Sequence, residues 1–257
     1  MKATDKPLIE IIDLKKTYGN TEALKGVSLK IYPGEIFGFL GPNGAGKTTT
    51  IKIMCGLLQP SGGRVLLDGI DVQKNPLEAK KTFGYIPDRP FMYPKLTGRE
   101  FLAFVAGLYG IKDWHARAES MVRIFELEDA IDQLTETYSH GMRQRLAFIA
   151  ALLPKPKILI VDEPVVGLDP KATRLIKQLF KRLAQQNMAI FMSTHILEIA
   201  EEVCTRVAII DKGEVIAEGD PQTLKAQAHA DRLESLFLQL TGAGEIDSLP
   251  LDIKEAS

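Results

Sequence analysis

With 257 residues and a net charge of −1, the chain is long enough for one large α/β domain or two modest ones, and it lacks the polyelectrolyte excess that would draw it to nucleic acid or an anionic membrane. Its 45% hydrophobic and 25% charged residues are ordinary for a soluble globular protein. The first residues are polar, without a signal-peptide apolar core, and the longest apolar stretch, Phe101 to Ile111, is too short to span a bilayer, so a cytoplasmic protein is expected that reaches a membrane only through a partner.

Leu8 to Leu14 and Val27 to Ile31 read as strands, joined through a turn at Lys16-Thr17-Tyr18-Gly19-Asn20. In the second, Val27, Leu29 and Ile31 alternate with Ser28 and Lys30, as in a sheet with one wet face. After the turn Pro33-Gly34, the apolar run Ile36 to Leu40 leads into Gly41-Pro42-Asn43-Gly44-Ala45-Gly46-Lys47-Thr48 and a helix-like segment, Thr49 to Leu58. This is the spacing of a P-loop in the strand–loop–helix context the motif requires. Glycines let successive backbone N–H groups converge on phosphate oxygens, and the following helix adds the positive end of its dipole. Lys47 is placed to reach the β- and γ-phosphates of a nucleoside triphosphate, and the Thr48 hydroxyl to bind Mg²⁺.

Gln59 to Gly63 ends the P-loop helix, Arg64 to Leu67 reads as a strand closed by the turn Asp68-Gly69, and Thr82 to Ile86 as a strand stopped at Pro87. From about residue 87 to 153 strand signal nearly vanishes, which marks a helical subdomain inserted in an α/β core. Thr97 and Glu100 have capping-box spacing, and Asp113 is a candidate cap for a helix carrying Trp114, Met121 and Phe125. Ser139 opens a further helix, stopped by Pro154. Ile158 to Val161 is a continuous apolar run, the mark of a strand buried on both faces. Asp169-Pro170 caps the next helix, and Ala189 to Thr194 and Val207 to Ile210 are further buried strands. Asp220-Pro221 starts another helix, and Leu233, Leu236, Phe237 and Leu240 form an amphipathic stripe. Cys55 and Cys204 sit in apolar helical contexts without metal-ligand spacing and read as small buried hydrophobes.

Directly after the run Ile158 to Val161 stand Asp162 and Glu163. Ligands of open parallel sheets bind beyond the carboxyl ends of the strands, which places Asp162 to hold Mg²⁺ and Glu163 to orient an attacking water as general base. An isolated acidic pair at a strand end more often caps the next helix; the upstream P-loop favours the chemical reading.

At this point the chain resembles the nucleotide-binding subunit of ATP-binding cassette (ABC) transporters, over roughly residues 8 to 240. Tyr138-Ser139-His140-Gly141-Met142-Arg143-Gln144-Arg145 stands where that family has its Leu-Ser-Gly-Gly-Gln signature, between the P-loop and Asp162. A serine and a bare glycine backbone at a helix N-terminus make a second phosphate-binding end. The resemblance implies ATP as ligand, bound with Mg²⁺, and a head-to-tail dimer of ATPase subunits, homodimeric or heterodimeric, with two ATP molecules between them. Ser139 and Gly141 would act on the other copy's nucleotide. It implies that Tyr18 stacks on adenine, that Thr49 continues the phosphate loop, that Asp169 in Gly167-Leu168-Asp169 crosses the dimer interface, and that His195 contacts the γ-phosphate. Two departures stand out. Asp88 takes the place of the family's glutamine near Mg²⁺, and His140 and Met142 replace the signature's first glycine and its glutamine.

The expected fold is therefore an α/β P-loop NTPase core with a mostly parallel sheet, an N-terminal antiparallel β subdomain and an inserted helical subdomain. Residues 1–240 would form a single ATPase domain, with the helical subdomain over about 87–153 and a flexible tail over 241–257. The implied function is ATP hydrolysis that drives a separate integral-membrane permease, in the manner of the stand-alone bacterial export-type subunits. Phe91, Met92 and Tyr93 either line a groove for a cytoplasmic helix of that permease or pack the helical subdomain. The alternative is an ABC ATPase outside transport, such as one serving iron–sulfur cluster assembly, which a soluble scaffold partner in place of a membrane protein would reveal.

Overall fold

Strands β1 (Ile9–Tyr18) and β2 (Thr21–Ile31) form a hairpin, and its two-residue loop uses Gly19 at a positive φ of 56°. The computed structural model describes residues 6–242; of the tail expected over 241–257, everything from residue 243 lies outside the described residues. The turn expected at Lys16 to Asn20 is shorter than that. Lys16 and Thr17 pair with Leu24 and Glu22, and Tyr18 with Thr21, so all three belong to β1. Register shifts after Ile11 and near Lys15, with Asp13 at φ 47°, break the alternation that would have revealed the longer strand.

Strand β3 (Ile36–Leu40) runs into the phosphate-loop sequence and helix α1 (Lys47–Met54). Strands β4 (Gly62–Leu67) and β5 (Ile70–Asp71) complete a four-stranded antiparallel sheet of order β2-β1-β4-β5. Helix α2 (Pro76–Lys80) and strand β6 (Phe83–Ile86) precede three helices, α3 (Gly98–Leu108), α4 (His115–Ile124) and α5 (His140–Leu152). The Thr97–Glu100 capping box is formed in both directions at α3, and the Ser139 hydroxyl caps α5 by accepting from the Met142 N–H. Asp113 does not cap α4. Trp114 occupies that position without a side-chain hydrogen bond, and its packing against the core with its ring stacked on His115 fixes the start instead.

Strand β7 (Ile158–Asp162), helix α6 (Pro170–Gln185), strand β8 (Ala189–Thr194), helix α7 (Leu197–Val203) and strands β9 (Arg206–Asp211) and β10 (Glu214–Gly219) follow, then helices α8 (Pro221–Gln227) and α9 (Leu233–Thr241). Asp169 and Asp220 cap α6 and α8, each followed by proline. The larger sheet has the order β10-β9-β3-β8-β7-β6 and is parallel except for β10, a short edge strand in which Glu214, Glu218 and Gly219 weaken the sequence signal. The architecture is thus the expected one: an α/β core, an antiparallel N-terminal sheet and helices inserted between β6 and β7.

Alternate residues of the central strands feed two separate cores. Ile36, Leu40, Leu159, Val161, Ile190 and Met192 face the helices α3 to α7, whereas Phe37, Phe39, Ile158, Ile160 and Phe191 face α1 and the antiparallel sheet. Phe191 packs on both Phe37 and Phe39, with ring centroids 5.9 and 5.4 Å apart, and each fully buried ring contributes ~1.5–3 kcal/mol. Helix α5 lies so close over β6 that a Cβ added at Gly84 would sit 2.4 Å from the Ala151 carbonyl oxygen. Gly84→Ala should therefore push α5 off the sheet and cost about 2–3 kcal/mol, read as a fall of ~5–10 °C in melting temperature.

Candidate functional site

The loop between β3 and α1 is built from backbone that only glycine tolerates at two points. Gly46 has φ 111°, and a Cβ there would lie 2.8 Å from the Ala23 carbonyl oxygen; at Gly41 it would lie 2.4 Å from that of Ile210. The loop is thereby pressed onto its neighbours, and α1 starts with its free N–H groups turned toward the space above the sheet. Lys47 is folded across this loop, its Nζ donating to the carbonyl oxygens of Gly41 at 2.6 Å and Pro42 at 3.1 Å. Burial lowers its pKa, against the raising pull of Glu163 and Asp162.

Opposite the loop stand the ends of β7 and β8. Asp162, the last residue of β7, is buried and accepts a hydrogen bond from the Ser193 hydroxyl. Burial raises its pKa, the Ser193 bond lowers it, and the charges of Glu163 and Asp88 raise it again. Glu163 adopts φ 51°, in the left-handed region that a non-glycine residue seldom occupies. That conformation turns its N–H to the Ser193 carbonyl oxygen at 3.1 Å. Its carboxylate accepts from the Thr194 hydroxyl at 3.2 Å and the His195 N–H at 3.4 Å, and His195 Nδ1 lies 2.9 Å from the same carboxylate.

A cavity of about 730 Å³ lies between these two walls. Pro42, Asn43, Gly44, Gly46, Lys47, Thr48 and Thr49 line one side, and Asp88, Asp162, Glu163 and His195 the other. Its size suits a nucleotide, and its chemistry is divided: N–H donors and a cation on the loop side, three carboxylates on the far side. Gly41 and Ala45 shape the loop from behind. Lys52, Tyr85 and Arg89 also line the cavity and were not anticipated. Lys52 stands one helical turn after Thr48, so the 3.6-residue period of α1 carried that signal.

The other candidates lie outside this cavity. Tyr18 is half exposed, with Lys16 Nζ 5.1 Å from its ring centre. Ser139 is occupied in capping α5, and Gly141 lies open beside Leu168. Asp169 caps α6 through the Ala172 N–H at 2.8 Å and pairs with Arg145 at 3.2 Å. His140 Nε2 is 3.2 Å from the Val166 carbonyl oxygen, which ties the start of α5 to the loop that follows Glu163.

Comparison with known proteins adds to this picture. Residues 24–166 match the family model of the ABC transporter. The chain is 36% identical over 239 residues to the linearmycin resistance ATP-binding protein LnrL of Bacillus subtilis, covering 92% of this chain and 76% of LnrL. It is 37% identical over 220 residues to the Nod factor export ATP-binding protein I of Paraburkholderia xenovorans, covering 85% and 72%. Among solved structures, the ATP binding subunit of an ABC transporter superposes with a TM-score of 0.86 at 32% identity, over 91% of this chain and 99% of that one. A dimeric ATP-binding cassette in a post-hydrolysis state, bound to ADP and Pi, superposes with a TM-score of 0.75 at 27% identity, over 82% and 98%.

The raised pKa of Asp162 has a measurable consequence. A carboxyl whose folded pKa lies above its unfolded value destabilises the fold where it is ionised, and the penalty disappears as pH falls below both values. Asp162→Asn should therefore raise the melting temperature of the ligand-free protein at pH 8, and the gap should close as the pH falls toward 4. Thermal melts across that range decide it; a variant less stable than wild type at pH 8 would refute the electrostatic account.

Proposed function

This chain belongs to the ABC transporter family, and we propose that it is the ATP-hydrolysing subunit of an exporter, working as a head-to-tail pair on a separate membrane permease. One observation carries this reading: the cavity holds one half of a phosphate site, while Ser139 and Gly141 sit on the same chain outside it. A second copy turned head to tail would bring that helix start over the open side. The chain is an ATPase by family, and its phosphate loop, buried Lys47 and acidic wall fit ATP.

Three carboxylates facing one buried lysine also fit Mg²⁺. Thr48 and Asp162 would hold it, with Asp88 on the same wall in place of the family's glutamine. When bound, Mg²⁺ neutralises charge on the β- and γ-phosphates.

Within this proposal Lys47 leaves the Gly41 and Pro42 carbonyls for the phosphates, joined by the N–H groups of the loop and of Thr49. Tyr18 stacks on adenine from the edge of the hairpin. Glu163 takes the proton of the attacking water, with His195 and Thr194 holding its carboxylate in place. His195 is the one of these groups that also faces the γ-phosphate. Asp169 crosses to the partner copy. Residues 1–240 act as one ATPase domain, whose helical portion over about 87–153 passes motion to the permease.

Phe91, Tyr93 and Phe104 support a docking face there. Their rings meet edge to face at 5.8 and 5.3 Å, and Phe91 is 77% exposed beside a cavity of about 310 Å³ that Phe101, Val105 and Tyr85 help line. Met92 is instead buried in the core, so the two readings of this stretch divide between neighbouring residues. Among the described residues no helix is long and apolar enough to cross a membrane, and a place on the cytoplasmic face of the membrane, held by the permease and without nucleic acid, follows from the proposal. The resistance and export functions in the names of LnrL and the Nod factor protein favour outward transport.

Glu163→Gln should slow ATP hydrolysis by about 10²–10⁴-fold while leaving ATP-dependent dimers detectable by size-exclusion chromatography. Hydrolysis at the wild-type rate would sink the assignment of Glu163. Lys47→Ala should weaken ATP binding by at least about tenfold, measured by calorimetry. Detergent purification of the tagged full chain should bring a multi-span membrane protein with it; a soluble scaffold alone would favour the non-transport alternative.

A further inference from the structure

A second cavity, of about 550 Å³, lies away from the phosphate loop where α4 and the end of α5 meet α6 and the turn before β8. Its floor is apolar, formed by Met121, Phe125, Leu179, Leu183 and Met188, and its mouth carries Ile124, which is 49% exposed. Its polar lining is one-sided: Arg117, Lys155, Lys157, Gln186 and Asn187, with no acidic residue. Lys157 is already paired with Asp68 at 2.6 Å. Arg117 and Lys155 have no carboxylate within ion-pair distance among the described residues.

Arg117 is the informative residue. One of its five donors reaches the Leu152 carbonyl oxygen at 2.8 Å, at the end of α5. Its Nε is buried without any hydrogen-bond partner, and burial lowers the pKa of the group. A half-desolvated guanidinium that one carbonyl only partly satisfies, at the edge of an apolar trough, lacks a counter-anion. Arg182, in the last turn of α6 and one helical turn after Leu179, adds positive charge to a helix without a single acidic residue.

The geometry points to a binding site for a small amphipathic anion, a single carboxylate on a hydrocarbon body. The carboxylate pairs with Arg117 and with Lys155 at the mouth. The hydrocarbon lies along Met121, Leu179 and Leu183, in a volume ordinary for small-ligand sites. The occupant is a monomeric molecule in solution, not a bilayer surface, because the trough is concave and its lining cations are few. Since it bridges α4 and α6, occupancy ties the helical portion of the chain to the core.

The test uses decanoate and the full chain. Binding is read by isothermal titration calorimetry, because Trp114, the only tryptophan, stands at the N-cap of α4 outside the cavity lining. Decanoate below its micelle-forming concentration should give a saturable heat of binding. Arg117→Gln should weaken the response about tenfold, the loss expected for one charge-assisted bond. Ile124→Glu, at an exposed position that leaves the fold intact, should weaken it comparably by placing a negative charge at the mouth. Both variants should keep wild-type ATP affinity, and if Arg117→Gln does not, Ile124→Glu decides alone. No saturation, equal binding by both variants, or equally tight binding of decyltrimethylammonium would overturn the proposal. So would adsorption to phosphatidylglycerol vesicles that decanoate does not displace, which would assign the basic face to a membrane.

Discussion

The central strands β3, β7 and β8 are buried on both faces, and this constraint decides where chemistry can occur. Every side chain of Ile36 to Leu40, Ile158 to Val161 and Ala189 to Met192 packs against one core or the other, and Gly38, the one residue without a side chain, leaves room for Cys204 and Val207. A buried charge along these strands would need a partner that neither core supplies. Polar function is therefore confined to the strand ends, and because the strands are parallel, those ends share one edge. Gly41 follows β3, Asp162 and Glu163 close β7, and His195 follows β8. The cavity is the consequence of three strands running out of apolar sequence at the same level.

What was legible in the sequence follows the same logic. The apolar runs and the groups that end them are local, and so the phosphate loop, the acidic pair and the capping residues Ser139, Asp169 and Asp220 could be placed from spacing alone. The bulged strand β1 hid behind its own irregular register, which turned Lys16 to Tyr18 into an apparent turn. The start of α4 was misread because Trp114 holds it by packing, which leaves no mark in a polar capping pattern. The left-handed conformation of Glu163 and the trough around Arg117 were out of reach, since each depends on contacts between segments far apart in the chain.

The electrostatics of the cavity describe a site prepared for a ligand. Lys47 spends its donors on the Gly41 and Pro42 carbonyls, and Asp162 is held near Glu163 and Asp88 with, among the described residues, the Ser193 hydroxyl as its one side-chain hydrogen-bond partner. Both are buried charged groups whose surroundings disfavour their ionised forms. A triphosphate with a divalent cation would supply an anion to the first and a cation to the second. The unfavourable surroundings of the two groups would thus be relieved together on binding, and neither residue alone would gain as much.

These surroundings also bear on the proposed pairing of two copies. The start of α5 is fastened to the loop after Glu163 by His140 to the Val166 carbonyl, by Leu168 beside Gly141, and by Arg145 to Asp169. Glu163 opens that loop and faces the chain's own cavity, whereas Ser139 and Gly141 would face the partner's. A shift of α5 on closing over the second nucleotide would then be felt at Glu163 through contacts within a single chain. His140 supplies one of these contacts at a position where the family's glycine has no side chain to offer. Its effect on this protein is therefore expected on the coupling between the two sites more than on the affinity of either.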